Sequence, residues 1–335
     1  MKNFYKIVIC FILSTIVLIF AIGIGSVFIP PLDTINILLY KLFNFNFLEI
    51  NETFLSILWK IRLPRVLLAF ICGAGLSLSG TIIQSLLKNS LASSYTLGVS
   101  SGAALGASVC ILFKIYIFGI FSIPIFGFIF GITTVFTAIM LASKLDKTMQ
   151  NNAIILTGMA FSLFTNAMLS ILMTFAKEDL QSLVFWQMGS FSMKDSIYLA
   201  ILYPFIIIIF ILVFFKHREM DILTFGDEQA NISGVNVKSV KIFLLSMASL
   251  LTGFIVSIVG VIGFIDLFTP HITRKIFGAS HKYVLFMSLI LGGTFMVLCD
   301  LVARTIASPI ELPVGAITSA IGAPFFIYLY FDKRK

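Results

Sequence analysis

Fifteen carboxylates and three histidines make up the acid–base groups in 335 residues, a sparse supply for an enzyme. His217, His271 and His281 are scattered with no metal-ligand spacing. No HExxH or GxxxxGK[ST] run occurs, so neither a zinc hydrolase of that type nor a P-loop ATPase is written in the chain. His271, directly after Pro270, reads as a locally hydrogen-bonded structural group. Cys10, Cys72, Cys110 and Cys299 lie inside apolar runs with no CxxC pair, the pattern of small buried hydrophobes and not of a disulfide or metal framework. The chain itself is expected to hold no metal and no cofactor, and to catalyse nothing.

Two carboxylates stand in apolar surroundings. A lone charge at a bilayer centre costs on the order of 3 kcal/mol, so each asks for a reason. Asp300 and Arg304 are spaced i,i+4 and can partly neutralise one another on one helix face. Asp266 has no evident partner and reads as an interfacial group. Two acids, one already paired, give slender support to an ion-coupled secondary transporter, which stands as the alternative from another functional class.

The elements that carry these residues follow from composition. With 59% hydrophobic and 11% charged residues, the chain falls far from soluble domains, which are near a quarter charged. Its apolar runs are too long for the alternating strands of an outer-membrane barrel. They suit helical crossings of roughly 20 residues each. The reading is an all-α polytopic membrane protein, one transmembrane domain over residues 1–335. Helices are expected near 7–28, 64–87, 95–113, 117–141, 152–175, 196–215, 238–260, 267–279, 284–306 and 313–331. The eighth is short and carries Arg274 and Lys275 after the Gly263 to Pro270 stretch, so a broken span is expected there. The first run exceeds the apolar stretch of a signal peptide and lacks a small-residue cleavage site, which favours a membrane helix. Of the 23 basic residues, 15 fall on one set of alternate segments and 8 on the other, and this bias places both termini inside. The net charge of +8 reports orientation. It is not a nucleic-acid signature. Small-residue runs, GAGLSLSG at 73–80 and SSGAALGAS at 100–108, suit close helix packing.

Two long polar connections interrupt the pattern. Residues 29–63 form an outer connection. Residues 216–237 form the largest cytoplasmic excursion, with Asp227 and Glu228 placed for a first helical turn and Gly234 for a helix stop. Loops of this length often carry function.

The run RLPRVLLAFICGAGLSLSGTIIQSLLKNSLASSYTLGVSSGAALGA at 62–107 resembles the permease subunits of ATP-driven importers for iron–siderophore, haem and cobalamin. FWQMGSF (185–191), GDEQANISGVNV (226–237), GVIGFIDLFTPHITRKIFG (260–278), Asp300-x-x-x-Arg304, ELPVGAIT (311–318) and IGAPFFIYLY (321–330) extend the likeness in order along most of the chain. Ser90 stands where that family has Pro, Asp266 where it usually has Gly, and Ser233 where a Leu usually precedes the loop Gly. The resemblance implies a type II importer permease fold of ten helices in the bacterial plasma membrane, with two permease subunits (a homodimer or a pair of paralogues) around one path. It implies two cytoplasmic ATPase subunits that bring ATP and Mg, and an extracytoplasmic binding protein, periplasmic or lipid-anchored. It further implies that Arg62, Arg65 and Arg304 dock that binding protein at the outer face, and that Gly226, Asp227, Glu228, Ala230, Gly234 and Val235 couple to the ATPase. The fifth and tenth helices are expected to line the path, with Asn152, Thr157, Ser162, Thr165, Asn166, Ser170, Thr318 and Ser319 as its mildly polar residues. A ferric siderophore is the expected cargo, with haem and cobalamin as alternatives.

The orientation has a direct test. Cysteine labelling at positions 147 and 335 is expected to report both on the cytoplasmic side, and external labelling of either overturns the topology.

Overall fold

Backbone amides in lipid have no water to bond, so a chain this apolar must satisfy them within itself. A computed structural model describes residues 2–25, 27, 29–45, 47, 49–146, 149–176 and 179–332, and its regular structure is helical throughout. Lys147 and Lys335, the two labelling positions, lie outside the described residues. In chain order the helices are α1 (Lys2–Gly23), α2 (Pro31–Phe43), α3 (Glu52–Ser56), α4 (Leu63–Leu87), α5 (Val99–Leu112), α6 (Ser122–Leu145), α7 (Asn151–Phe175) and α8 (Leu180–Gln187). They continue with α9 (Ser196–Phe214), α10 (His217–Leu223), α11 (Asp227–Ile232), α12 (Val237–Val259), α13 (Ile265–Phe277), α14 (His281–Thr305) and α15 (Val314–Asp332).

Every one of the ten expected segments holds a helix. Among the described residues, seven stretches are long and apolar enough to cross a membrane: α1, Glu52–Leu87, Gly119–Leu145, α7, α9, α12 and α14. The other three expected spans are α5 and α13, of 14 and 13 residues, and α15. The break expected at the eighth span is real. Phe264 takes a left-handed conformation (φ +68°) just before α13, whose 13 residues place Asp266 in the first turn and Arg274 and Lys275 in the last. Those charges complement the helix dipole at both ends.

The connection over residues 29–63 holds helices of its own. It contains α2 and α3, and α3 runs on through a π-helical stretch, Ile57–Arg62, into α4. Arg62, which falls outside the helix expected at 64–87, therefore joins Arg65 within one continuous 36-residue helix, Glu52–Leu87. Pro64 explains the π stretch. Proline offers no N–H and crowds the preceding turn, and a wider turn, with Leu63 N–H bonded to Leu58 O five residues back, absorbs the mismatch.

α4 is the enclosed centre, buried along nearly all its length, while α1, α7 and α9 leave most of their surface outward. Lipid gives no hydrophobic drive between helices, so α4 is held by close approach and by hydroxyls. Ser79 Oγ lies 2.7 Å from Thr252 Oγ1 on α12 and bonds Ala248 O at 3.0 Å. Thr81 Oγ1 bonds Ser288 Oγ on α14 at 2.9 Å. Gly73 and Gly292 bring α4 and α14 nearly into backbone contact, for a Cβ on Gly292 would lie 2.3 Å from Ser77 Cβ and 2.7 Å from Gly73 O. Gly292→Ala is therefore expected to destabilise the chain by about 1–3 kcal/mol, read as a lower melting temperature in detergent. An unchanged melting temperature would mean that the two helices separate without cost.

Candidate functional site

The 216–237 excursion folds into two short helices that the sequence partly announces. α11 starts after Gly226 (φ +132°), with Asp227 and Glu228 in its first turn. It closes on Gly234 (φ +83°), where Val235 N–H bonds Ala230 O and Gly234 N–H bonds Asn231 O, both at 3.0 Å. This is a Schellman closure, and the left-handed turn it needs suits glycine.

Asp227 ties this small helix to the body of the protein. Its Oδ1 meets Lys88 Nζ at 3.0 Å and its Oδ2 meets Lys241 Nζ at 2.5 Å. Lys88 is the left-handed cap that ends α4, and Lys241 lies on α12 with 1% of its side chain exposed. The Lys241 ammonium also donates to Met149 O and to Asn151 Oδ1, each at 3.0 Å. Three donors thus meet acceptors from α11, from the α6–α7 link and from the first residue of α7, which leaves no unpaired proton on a buried charge. Partial burial alone would raise the Asp227 pKa, but the bonds from Lys241 and Lys88 outweigh it and hold the carboxyl below its ordinary range. Ala230 is fully buried against this base, so a charge introduced there would disrupt the chain's own packing. The outward face is Glu228, Gln229 and Ile232, with Ile232 86% exposed and Phe225 exposed beside it.

α10 is anchored separately. Asp221 Oδ1 accepts from His281 N–H at 2.9 Å and lies 2.6 Å from His281 Nδ1, while His281 Nε2 lies 2.7 Å from Ser85 Oγ on α4. The order Ser–His–Asp is that of a hydrolytic triad, but Ser85 already donates to Thr81 O at 2.7 Å and receives Arg274 Nη2 at 3.1 Å. Such a hydroxyl is a structural tie and not a nucleophile. Arg274 Nη1 also bonds Gln84 Oε1 at 2.6 Å, which knits α13 to the same end of α4.

At the opposite end, the three arginines come together, but two of them turn inward. Arg62 donates to Gly23 O at 2.6 Å, to Ile22 O at 3.4 Å and to Val27 O, and Arg304 donates to Ala21 O. With Ile24 N–H on Phe20 O, the last four carbonyls of α1 all have donors. A cation at a helix C-terminus is also favourable to the dipole. Capping α1 thus supplies a reason for arginine on this side. Arg65, with 13% of its side chain exposed, forms the centre of the cluster, bonding Asp300 at 2.8 Å through Nη2 and Glu311 at 2.8 Å through Nη1. Arg304 stands 3.7 Å from Asp300, so the expected i,i+4 pair exists but is the weaker of the two. Glu311 is held below the usual carboxylate range, because the bonds and charge of Arg65 overcome its partial burial.

The expected path residues divide. Asn152, Asn166 and Ser170 lie on the outward face of α7, among exposed Leu156, Leu163 and Ile171. Thr157, Ser162 and Thr165 turn into the subunit, and Thr165 Oγ1 bonds Ser101 Oγ on α5 at 2.7 Å. On α15, Thr318 is buried with its hydroxyl on Gly315 O, whereas Ser319 borders a cavity of about 480 Å³. Polar residue type alone does not separate these two faces of a helix.

The model of the FecCD transport family matches residues 12–332. The chain belongs to the FecCD transport family. It is 37% identical over 320 residues to the ABC transporter permease protein YvrB of Bacillus subtilis, covering 95% of this chain and 91% of that one. The Fe(3+)-citrate import system permease protein YfmE of the same organism is 32% identical, with 98% and 94% covered. A solved structure described as an inward-facing conformation of a metal-chelate type ABC transporter superposes with a TM-score of 0.83 at 28% identity, covering 96% of this chain and 97% of that chain.

Within this FecCD chain, sequence reasoning found Asp227 and the glycines of the excursion but missed what holds them. Lys88 and Lys241 read only as inner basic residues, and no pattern in the sequence marks Lys241 as buried. Lys241→Met keeps the length and removes the charge. It is expected to free α11, seen as faster amide exchange over residues 226–235, and to leave Asp227 with Lys88 alone. Because Asp227 titrates below its free value of about 3.9, the tie is fully formed at neutral pH and is lost only as pH falls through that lowered value. Unchanged exchange in the variant would overturn the anchoring role.

Proposed function

We propose that the chain is the membrane-spanning permease subunit of an ATP-driven importer whose cargo is a ferric siderophore or similar iron chelate. Residues 1–335 form one permease domain in the bacterial plasma membrane with both termini in the cytoplasm, and two such subunits enclose the path. The observation that carries this reading is the α10–α11 pair. A capped, anchored helix presenting Ile232 and Phe225 outward has the form of a part that seats in a partner. The partner is a separate ATPase, two copies of which bind ATP and Mg below the membrane. A groove of about 740 Å³ beside Asp227, Asn231 and Lys238 offers it further polar contacts.

On the outer side an extracytoplasmic binding protein docks near Glu311 and Arg65. A recess of about 280 Å³ lined by Phe185, Ser192 and Glu311 adjoins them. Arg62 and Arg304 serve that surface from beneath by holding α1 in place. The iron assignment draws on the relative described as a ferric citrate permease and on the structure described as metal-chelate type. Haem and cobalamin remain the alternatives within the class.

Reconstitution with the ATPase and binding protein encoded alongside tests this. Uptake of labelled ferric siderophore is expected to need ATP and to survive dissipation of ion gradients. Ile232→Glu is expected to cut uptake at least tenfold while the protein stays in the membrane. Uptake that follows an ion gradient and ignores ATP would establish the secondary-transporter alternative instead.

A further inference from the structure

The short helix α2 is turned the wrong way round for water. At 3.6 residues per turn, Leu32, Ile35, Leu39, Leu42 and Phe43 fall on one stripe about 100° wide. On a surface helix of a soluble protein such a stripe faces the core. Here Leu32, Ile35, Leu42 and Phe43 are exposed, Phe43 at 72%, and Leu39 is half-exposed, whereas the polar Thr34 and Asn36 are buried. Of the apolar residues of α2, only Ile37 is buried. The exposed apolar surface continues past the helix into Phe45 and Phe47. A surface of this kind marks contact with a membrane or with another protein.

The backbone of this segment is closed as a place with little water requires. Asn44, left-handed at φ +53°, ends the helix with its N–H on Tyr40 O at 2.9 Å. Thr34 Oγ1 donates to Pro30 O at 3.1 Å, and Asn36 Oδ1 accepts from Phe47 N–H at 2.9 Å, which ties the chain beyond the helix back onto it. In lipid, a backbone donor without an acceptor is costly.

Position decides between a bilayer and a protein partner. Only residues 24–30 separate α2 from the end of α1. Thr34 rests against that end, for a Cβ on Gly23 would lie 3.0 Å from its Oγ1, and Arg62 locks the link through Gly23 O and Val27 O. α1 is the least enclosed of the seven stretches able to cross a membrane, and exposed Phe20 lies in its last turn. A helix fastened there sits at the edge of the hydrocarbon, and its 13 residues, about 20 Å, are too few to cross it. The exposed face of α2 thus takes up where that of α1 leaves off. Side-chain chemistry agrees. Lys41 Nζ lies 5.9 Å from the centre of the Tyr40 ring, and Trp59 and Lys60 stand on the π-helical stretch that brings Arg62 to the end of α1. Aromatic rings beside lysines, whose stems cover apolar surface while the charge stays in water, characterise helices at a membrane interface.

We infer that α2 is a membrane-surface helix, with the stripe from Leu32 to Phe43 seated in phospholipid at the boundary of headgroups and acyl chains, at the Arg65 end of the bundle. Its effect is to hold the end of α1, and the Arg62 cap on it, at a set depth. The inference concerns lipid alone and is independent of the cargo.

The full chain in nanodiscs of phosphatidylcholine and phosphatidylglycerol provides the test. Two photoactivatable phosphatidylcholines are the probes, one with its diazirine close to the glycerol and one with it at the acyl terminus, and adducts are mapped by peptide mass spectrometry. Residues 32–47 are expected to take the shallow label at least about fivefold more than the deep one, and Leu13 to Ile16 in the middle of α1 the reverse. The double variant Leu42→Glu, Phe43→Glu is expected to lose the shallow label over 32–47 while α1 keeps its deep label, which shows the span intact. Absence of lipid label over 32–47 in the native chain would overturn the inference whatever the variant does. So would a predominance of the deep label there, which would make α2 an inserted segment. An amine cross-link joining Lys41 of two copies, found in place of the lipid label, would assign the face to a protein contact instead.

Discussion

A charge or a carbonyl in the interior of this protein has to find its partner within the chain, because lipid offers none. Much of the described polar chemistry answers to that constraint. The arginines at one end of the bundle close the last turn of α1, and Asp300 is held between Arg65 and Arg304. The hydroxyls of α4 are bonded across to α12 and α14 or back to their own carbonyls. Lys241, with three donors and three acceptors, is the clearest case: the same bonds that make its burial tolerable also fasten three separate segments. Asp266 is held without a cation among the described residues, by the N–H and the hydroxyl of Ser94 on one carboxylate oxygen.

The same constraint explains what could be read in advance. Helix positions follow from apolar runs, and all ten segments are helical. The short, interrupted span at α13 was visible in its charges and its proline. Asp227, Gly226 and Gly234 were legible because acids at a first turn and glycine after a last turn are local signals with local causes. The π-helical passage into α4 was not, since it depends on how the turn before Pro64 accommodates a missing N–H and not on any residue preference.

Burial was the harder quantity. Arg62, Arg304 and Lys241 look in sequence like any basic residues near a membrane surface, and only tertiary packing decides which are enclosed. Ala230 shows the converse, an alanine in a polar loop that turns out to be wholly inside. For α7 the polar residues spread over more than one face, so Thr165 bonds Ser101 within the subunit while Asn166, one position on, faces outward. A 3.6-residue period distributes neighbours to different surroundings, and composition alone does not record which.

Helix α4, from Leu63 to Leu87, has a mechanical meaning. Its 25 residues make a single beam about 38 Å long at 1.5 Å per residue. Arg65 is set near one end, and Gln84, Ser85 and the capping Lys88 near the other. A tilt of about 5° about its midpoint moves each tip by roughly 1.6 Å in opposite directions, from that length alone. The two ends of α4 are therefore not independently adjustable. A shift at the Lys88 end displaces the Arg65 cluster by leverage, with no chain of side-chain rearrangements needed in between.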